Sequence, residues 1–244
     1  MNQSKIFSAA VIALAIVLSA LIFRNAWVKG KKGKESISVT GLASKDFVSD
    51  LIVWKGSFSR TSMNTAEALN DLKHDGEVIK TYLISKGVKE NEIVFSAVAA
   101  QKQYDHMQVA QNQYKDVFTG TQLTQDVQIE SKEVYRIERI SRDITELLGQ
   151  KIELNSYAPN YFYTKLSDLK IEMLAAATKD GRIRAEKIAE NSGAKIDQLS
   201  NADMGIFQIT GQNSSEDYSW GGAFNTTSKN KTASITVKLD FSIR

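Results

Sequence analysis

No cysteine occurs in the 244 residues. That excludes disulfides, thiolate catalysis, cysteine-ligated zinc and a lipoprotein attachment residue. Proline occurs once and no low-complexity run is present, so the chain lacks the composition of a disordered or multi-linker protein. Charge of one sign is also scarce. The net charge is +3, and much of the excess comes from Lys29, Lys31, Lys32 and Lys34. A basic footprint for nucleic acid is therefore absent. There are two histidines, His74 in a charged run and His106 in a polar one, and neither has a second histidine nearby in sequence. Both read as exposed side chains and not as metal or acid/base groups. Glycine-rich phosphate loops, Gly-x-Ser-x-Gly elbows, His-Glu-x-x-His pairs and calcium loops are all missing. No catalytic, cofactor-binding or metal-binding residue is identified, and no cofactor is implied. A carboxylate pair assembled by folding would escape this reading, so a small-ligand binder or an enzyme with a dispersed site stands as the alternative.

What is present begins with residues 6–23, IFSAAVIALAIVLSALIF, eighteen residues without a charge between Lys5 and Arg24. As a helix the run spans roughly 27 Å, close to a hydrocarbon core. Residues 1–24 are therefore expected to be a signal anchor, and 25–35 a basic linker. The apolar run is long for a secretory signal, and Ser19, Ala20 and Leu21 offer no small-x-small site, which favours an uncleaved single-pass anchor. Positive charges after the run outnumber those before it, and that count alone keeps the body in the cytoplasm. The competing reading is an exported body whose basic stub rests on anionic headgroups.

About 210 residues remain, enough for one domain over 36–244 or two lobes, 36–131 and 132–244. Residues 36–41 and 50–60 read as strands forming an opening hairpin. Residues 64–86 form an amphipathic helix with Ala66, Leu69, Leu72, Ile79 and Leu83 inward, stopping at Gly87. Strands are expected over 92–100 and 121–131, with residues 101–119 either the outer part of a hairpin or a mobile loop. A helix over 132–148 carries Ile137, Ile140, Ile144 and Leu147 inward and ends at Gly149. Residues 152–165 are strand-like, and Pro159 there demands an edge or a bulge. A third helix covers 168–192, with Ile171, Leu174, Ala175, Ala185, Ile188 and Ala189 as inner positions. Strands at 204–210 and 233–243 flank a polar loop. The order β-β-α-β-β-α-β-α-β-β predicts an α+β fold, with antiparallel or mixed sheets and about three helices packed on them.

Trp54 alternates with Ile52 and Phe58 and reads as a core residue, a binding platform being the alternative. Tyr161, Phe162 and Tyr163 are consecutive on a strand and must point to both faces, so at least one faces outward. They are the candidate contact surface, simple sheet packing being the alternative. Arg182, Arg184 and Lys187, beside Glu186 and Glu190, read as a solvated mixed-charge face, a basic patch being the alternative.

Several segments together resemble the SIMPL-domain family of bacterial envelope proteins. The opening ISVTGLASKDFVSDLIVWKGSF carries Gly41, Asp50 and Trp54 at matching places. Pro159, Tyr161, Thr164, Lys165 and Leu166 then precede an alanine-rich helix with Ala176, Thr178, Arg182, Ala185, Glu186 and Ala189, followed by Ser192 and Gly193. Ala202, Gly205 and Phe207 continue the match, which covers roughly residues 35–244. Asp180 and Gly181 depart from the usual small polar and alanine pair, and the last strand is less typical. The resemblance implies a body outside the cytoplasm, on the periplasmic side of the inner membrane. In some members it implies ring- or channel-like homo-oligomers, and in others a loose link to stress tolerance; it implies no catalytic residues. The function expected on this footing is a membrane-anchored, non-enzymatic homo-oligomeric scaffold or binding module, its ligand unknown.

Overall fold

The computed structural model describes residues 15–24, 35–110, 113–217 and 219–244. Residues 15–24 are helical and exposed (α1). No helix among the described residues is long and apolar enough to cross a membrane. Residues 1–14 of the expected anchor and 25–34 of the expected linker (25–35) lie outside the described residues.

From residue 35 onward the chain is α+β. It divides into two contact units, one comprising residues through Ala43 with Leu174–Gly205 and Ile235–Arg244, the other Ser44–Met173 with Ile206–Ser234. Neither is continuous in sequence, so the division differs from a cut after residue 131. It falls within β1 (Ser36–Val48), α4 (Leu166–Asn191) and β10 (Asn230–Ile243).

The larger unit is built on a six-stranded antiparallel sheet of order β3-β5-β2-β6, with β4 added on β5 and β7 on β2. Strand β2 (Leu51–Ser62) pairs with β5 (Gln113–Ser131) from Ile52 opposite Ser131 to Ser62 opposite Thr121. Its period-two residues Ile52, Trp54 and Phe58 are fully buried, and Trp54 is a core residue. The indole N–H, which cannot be left unpaired there, donates to Ser156 Oγ at 2.9 Å. The expected hairpin between β1 and β2 does not form. The N–H groups of Ser49 and Asp50 between them go to Lys229 O and Phe162 O, and β1 pairs with β10 while β2 takes β5, β6 and β7.

Helix α2 (Thr65–Ser85) starts at Asn64, whose side chain accepts from Ala66 N, and Gly87 follows it at φ +90°. Its buried line is Ala68, Leu72, Asp75, Ile79 and Leu83; Ala66, expected inward, is exposed. The expected helix over 132–148 appears as α3 (Val134–Asp143) and a 3-10 helix (Ile144–Gln150). The chain turns through left-handed Lys151, not at Gly149. Ile137, Ile140, Ile144 and Leu147 are all buried as the spacing requires. Helices α2 and α3 share one apolar cluster with β2 and β5, and each large side chain in it contributes roughly 1.5–3 kcal/mol. Arg60 on β2 grips the buried Asp75 on α2 through two nitrogens, at 2.5 and 2.9 Å.

The strand expected over 92–100 is broken into β3 (Ile93–Phe95) and β4 (Ala99–Ala110), and β4 runs on with β5 as a long hairpin. Pro159 separates β6 (Leu154–Ser156) from β7 (Asn160–Phe162), two short strands lying end to end along β2, as its missing N–H demands. Strand β9 (Gln208–Gly211) pairs with the first residues of β10.

In the smaller unit the sheet order is β1-β10-β8, with β8 (Ile196–Met204) antiparallel to β10. No strand was expected over residues 196–203, and the one expected over 204–210 appears only as β9. Its residues are almost all exposed and show no alternation, and it is held by the backbone ladder to β10. The buried line of α4 is Leu169, Met173, Ala177, Gly181, Ala185 and Ala189, while Ile171, Ala175 and Ile188, expected inward, are exposed. Gly181 meets Gly41 of β1 so closely that an added Cβ at Gly41 would stand 2.1 Å from Ala177 O. Asp180 accepts the Leu42 N–H at 2.9 Å, which, with help from Arg184, holds its carboxyl below the usual range. Asp180 and Gly181 thus have a structural use at this crossing.

Candidate functional site

Tyr161, Phe162 and Tyr163 do not make a continuous surface. Tyr161 points inward at 7% exposure, and its hydroxyl donates to Glu138 Oε1 at 3.1 Å. Burial first, and Glu138 second, push its hydroxyl up to about 12. Phe162 and Tyr163 are half-buried, and the Tyr163 ring lies 4.8 Å from that of Phe47. His74 is exposed on α2. His106 is exposed on β4 and bonds Asp116 opposite it on β5. The described residues contain no cluster of three metal-ligating side chains. Arg182, Arg184 and Lys187 pair along their own helix with Glu186, Asp180 and Glu190, a neutralised solvated face.

A polar convergence lies elsewhere in the larger unit, in an open cleft of about 450 Å³ between the Ser49–Asp50 link and the start of α3. Ser49, Asp50, Thr164 and Lys165 form one wall, and Lys132, Glu133, Val134, Tyr135 and Arg136 the other. The first wall is tied together by Asp50, whose carboxylate accepts both the Thr164 N–H and its hydroxyl at 2.7 Å. Ser49 is 4% exposed and lends its N–H to Lys229 O. Its hydroxyl is buried with no hydrogen-bond partner among the described residues.

The opposite wall is a helix start without a side-chain cap. Glu133 occupies the N-cap but caps nothing, and its carboxylate lies 3.5 Å from Arg136. The N–H groups of Arg136 and Ile137 reach Glu133 O, while those of Val134 and Tyr135 have no acceptor among the described residues. Behind this wall Lys229 Nζ sits 4.3 Å from the Tyr135 ring centre and pairs with Glu138 at 2.7 Å. Burial pushes the Glu138 carboxyl up, but the hydrogen bonds from Lys229 and Tyr161 outweigh it, and the net shift is downward.

The cleft therefore offers donors. Its acids are engaged, Asp50 by Thr164 and Glu133 by Arg136, whereas Lys132 and Lys165 have no ion-pair partner among the described residues. Asp50, Thr164 and Lys165, and Tyr161 just behind them, are residues on which the sequence resemblance stands. Ser49, Lys132 and Tyr135 were missed, because nothing local marks a hydroxyl that folding will bury or a cap that will be left open. A larger cleft of about 720 Å³, beside α2, β3 and β5, has its Lys80 and Glu90 paired at 2.6 Å.

The β4–β5 hairpin is a second feature. Beyond Ser62 opposite Thr121, residues 104–110 of β4 and 113–118 of β5 have only each other as ladder partners among the described strands. This ribbon exposes Tyr104, Met107, Tyr114 and Val117.

The family model for SIMPL, described as a protein of unknown function (DUF541), matches residues 37–241. No curated protein matches the chain.

Proposed function

Because this chain belongs to the SIMPL family, whose description names no activity, we propose from its own features that it is a membrane-anchored module that works by assembling with copies of itself and not by catalysis. The uncharged run over 6–23 is its single-pass anchor in the bacterial inner membrane. The body stands on the periplasmic side, a placement that rests on the family resemblance and runs against the positive-inside count. A link with stress tolerance rests on that resemblance alone.

The observation that carries assembly is the β4–β5 ribbon. It reaches roughly 20 Å beyond its last strand neighbour, with two edges unpaired among the described strands and exposed Tyr104, Met107 and Tyr114. Unpaired edges bearing apolar side chains are templates for a second chain. The decisive experiment is absolute mass by light scattering, on the full chain in detergent and on residues 35–244. A mass of several chains, reduced to one when residues 104–118 are replaced by a two-residue turn, supports the reading. A wild-type body that stays a single chain refutes it. A reporter fused after Arg244 that is active only outside the cytoplasm tests the orientation.

A further inference from the structure

We propose that the cleft between the Ser49–Asp50 link and the start of α3 is a binding site for a small oxyanion, the carboxylate or phosphate group of a low-molecular-weight ligand. This goes beyond assembly and does not depend on it.

Two independent observations meet there. The first is the open end of α3, where the Val134 and Tyr135 N–H groups lack acceptors among the described residues and the N-cap carboxylate is turned to Arg136. The positive end of a helix of ten residues, with free N–H groups, is a preorganised place for an anion. The second is Ser49, which lines the same cleft and whose buried hydroxyl has no partner among the described residues. A buried hydroxyl is costly to leave unpaired, and such groups call for an explanation. An oxyanion seated at the helix start would accept from it.

The charges decide the sign of the ligand. Of the acids nearest the cleft, Asp50 and Glu138 accept hydrogen bonds within the protein, and Glu133 lies 3.5 Å from Arg136. Lys132 and Lys165 are left at the rim, so a cation would find no open acceptor pair while an anion finds surplus donors. The exposed face of Tyr135 adds a flat apolar wall beside the donors, with Lys229 over the ring. That is room for a planar or aliphatic body attached to the anionic group. A cleft of about 450 Å³ lies within the usual range for small-molecule sites.

The test uses the full chain in detergent, labelled with ¹⁵N and titrated with inorganic phosphate and, separately, acetate at constant ionic strength set with chloride. The amide signals of Val134 and Tyr135 are expected to move saturably. Ser49→Ala and Lys165→Ala should each weaken the response about tenfold or more, the loss of one hydrogen bond to a charged acceptor. Without anion, Ser49→Ala should melt at or above the wild-type temperature, because it removes an unpaired buried hydroxyl, and this separates lost binding from lost folding. Saturation by phosphate alone assigns a phosphate-bearing ligand, and by acetate alone a carboxylate. The proposal is overturned if neither anion moves these two amides, if Ser49→Ala leaves the affinity unchanged, or if the shifts spread evenly over the lysine-bearing surface. Particle mass read on the same samples keeps this outcome separate from that of assembly.

Discussion

Replacing Gly41 with alanine puts a methyl group into a space that α4 already occupies. The new Cβ would lie 2.1 Å from Ala177 O, 2.5 Å from Gly181 N and 2.8 Å from Gly181 Cα, where ordinary contact begins near 3.4 Å. All three are backbone atoms, so no rotamer change relieves the overlap and the helix must retreat by about 1 Å. A gap of that size forfeits a quarter to a half of each dispersion contact. The contacts at stake run along Ala177, Gly181, Ala185 and Ala189, against a sheet that buries Val39, Val237, Leu239 and Phe241. We expect a loss of about 3 kcal/mol, at the upper end for overpacking. Gly181→Ala is the control. Its Cβ would first meet Leu239 Cδ1 at 2.7 Å, the movable end of a side chain, and only then Gly41 N at 3.2 Å. A cost of about 1–2 kcal/mol there is offset by about 1 kcal/mol of helix propensity. Urea unfolding followed by far-UV circular dichroism measures both. A Gly41→Ala protein as stable as wild type, or one no worse than Gly181→Ala, would refute the reasoning.

Two further outcomes follow from buried charges. Asp75→Ala strips the partner from Arg60; because the guanidinium keeps some access to water and still holds Lys151 O, the loss should be about 2–3 kcal/mol in the same assay. Lys231 is buried, and burial lowers its ammonium to about 8 against the weaker opposing pull of Glu216. Between about pH 8 and 10.4 the unfolded chain then binds more protons than the folded one, so stability rises with pH through that window, by on the order of 2–3 kcal/mol. Tyr161, raised in the folded state, reverses the trend above about pH 10. Lys231→Met should flatten the rise in melting temperature measured between pH 8 and 10, and a wild-type profile without that rise would refute the lowered value for Lys231.

Much of the architecture was legible because burial of large side chains leaves a period. Ile52, Trp54 and Phe58 at spacing two, and Ile137, Ile140, Ile144 and Leu147 at three and four, marked their inner faces correctly. Pro159 marked the break between β6 and β7. On α4 the same logic misled. The inward line is Ala177, Gly181, Ala185 and Ala189, whose small side chains carry little hydrophobic signal, while Ile171, at 70% exposure, carried a strong one. The α4 line was chosen for close approach, which a hydrophobicity pattern does not record. Strand β8 was missed for a related reason, since its ladder is made of backbone groups that every residue possesses.

The order of large apolar residues, the single proline and the residues of the family resemblance by themselves determined the α+β class and the family. They also placed Trp54 in the core. Only the tertiary structure decided that β1 and β2 part into separate sheets and that Tyr161 turns inward to Glu138. It alone brought Ser49, Lys132, Tyr135 and Thr164 around one cleft. The physical reason is that the donors of the cleft are separated by tens of residues along the chain. Their free N–H and O–H groups exist only because the fold closes around them without supplying an acceptor.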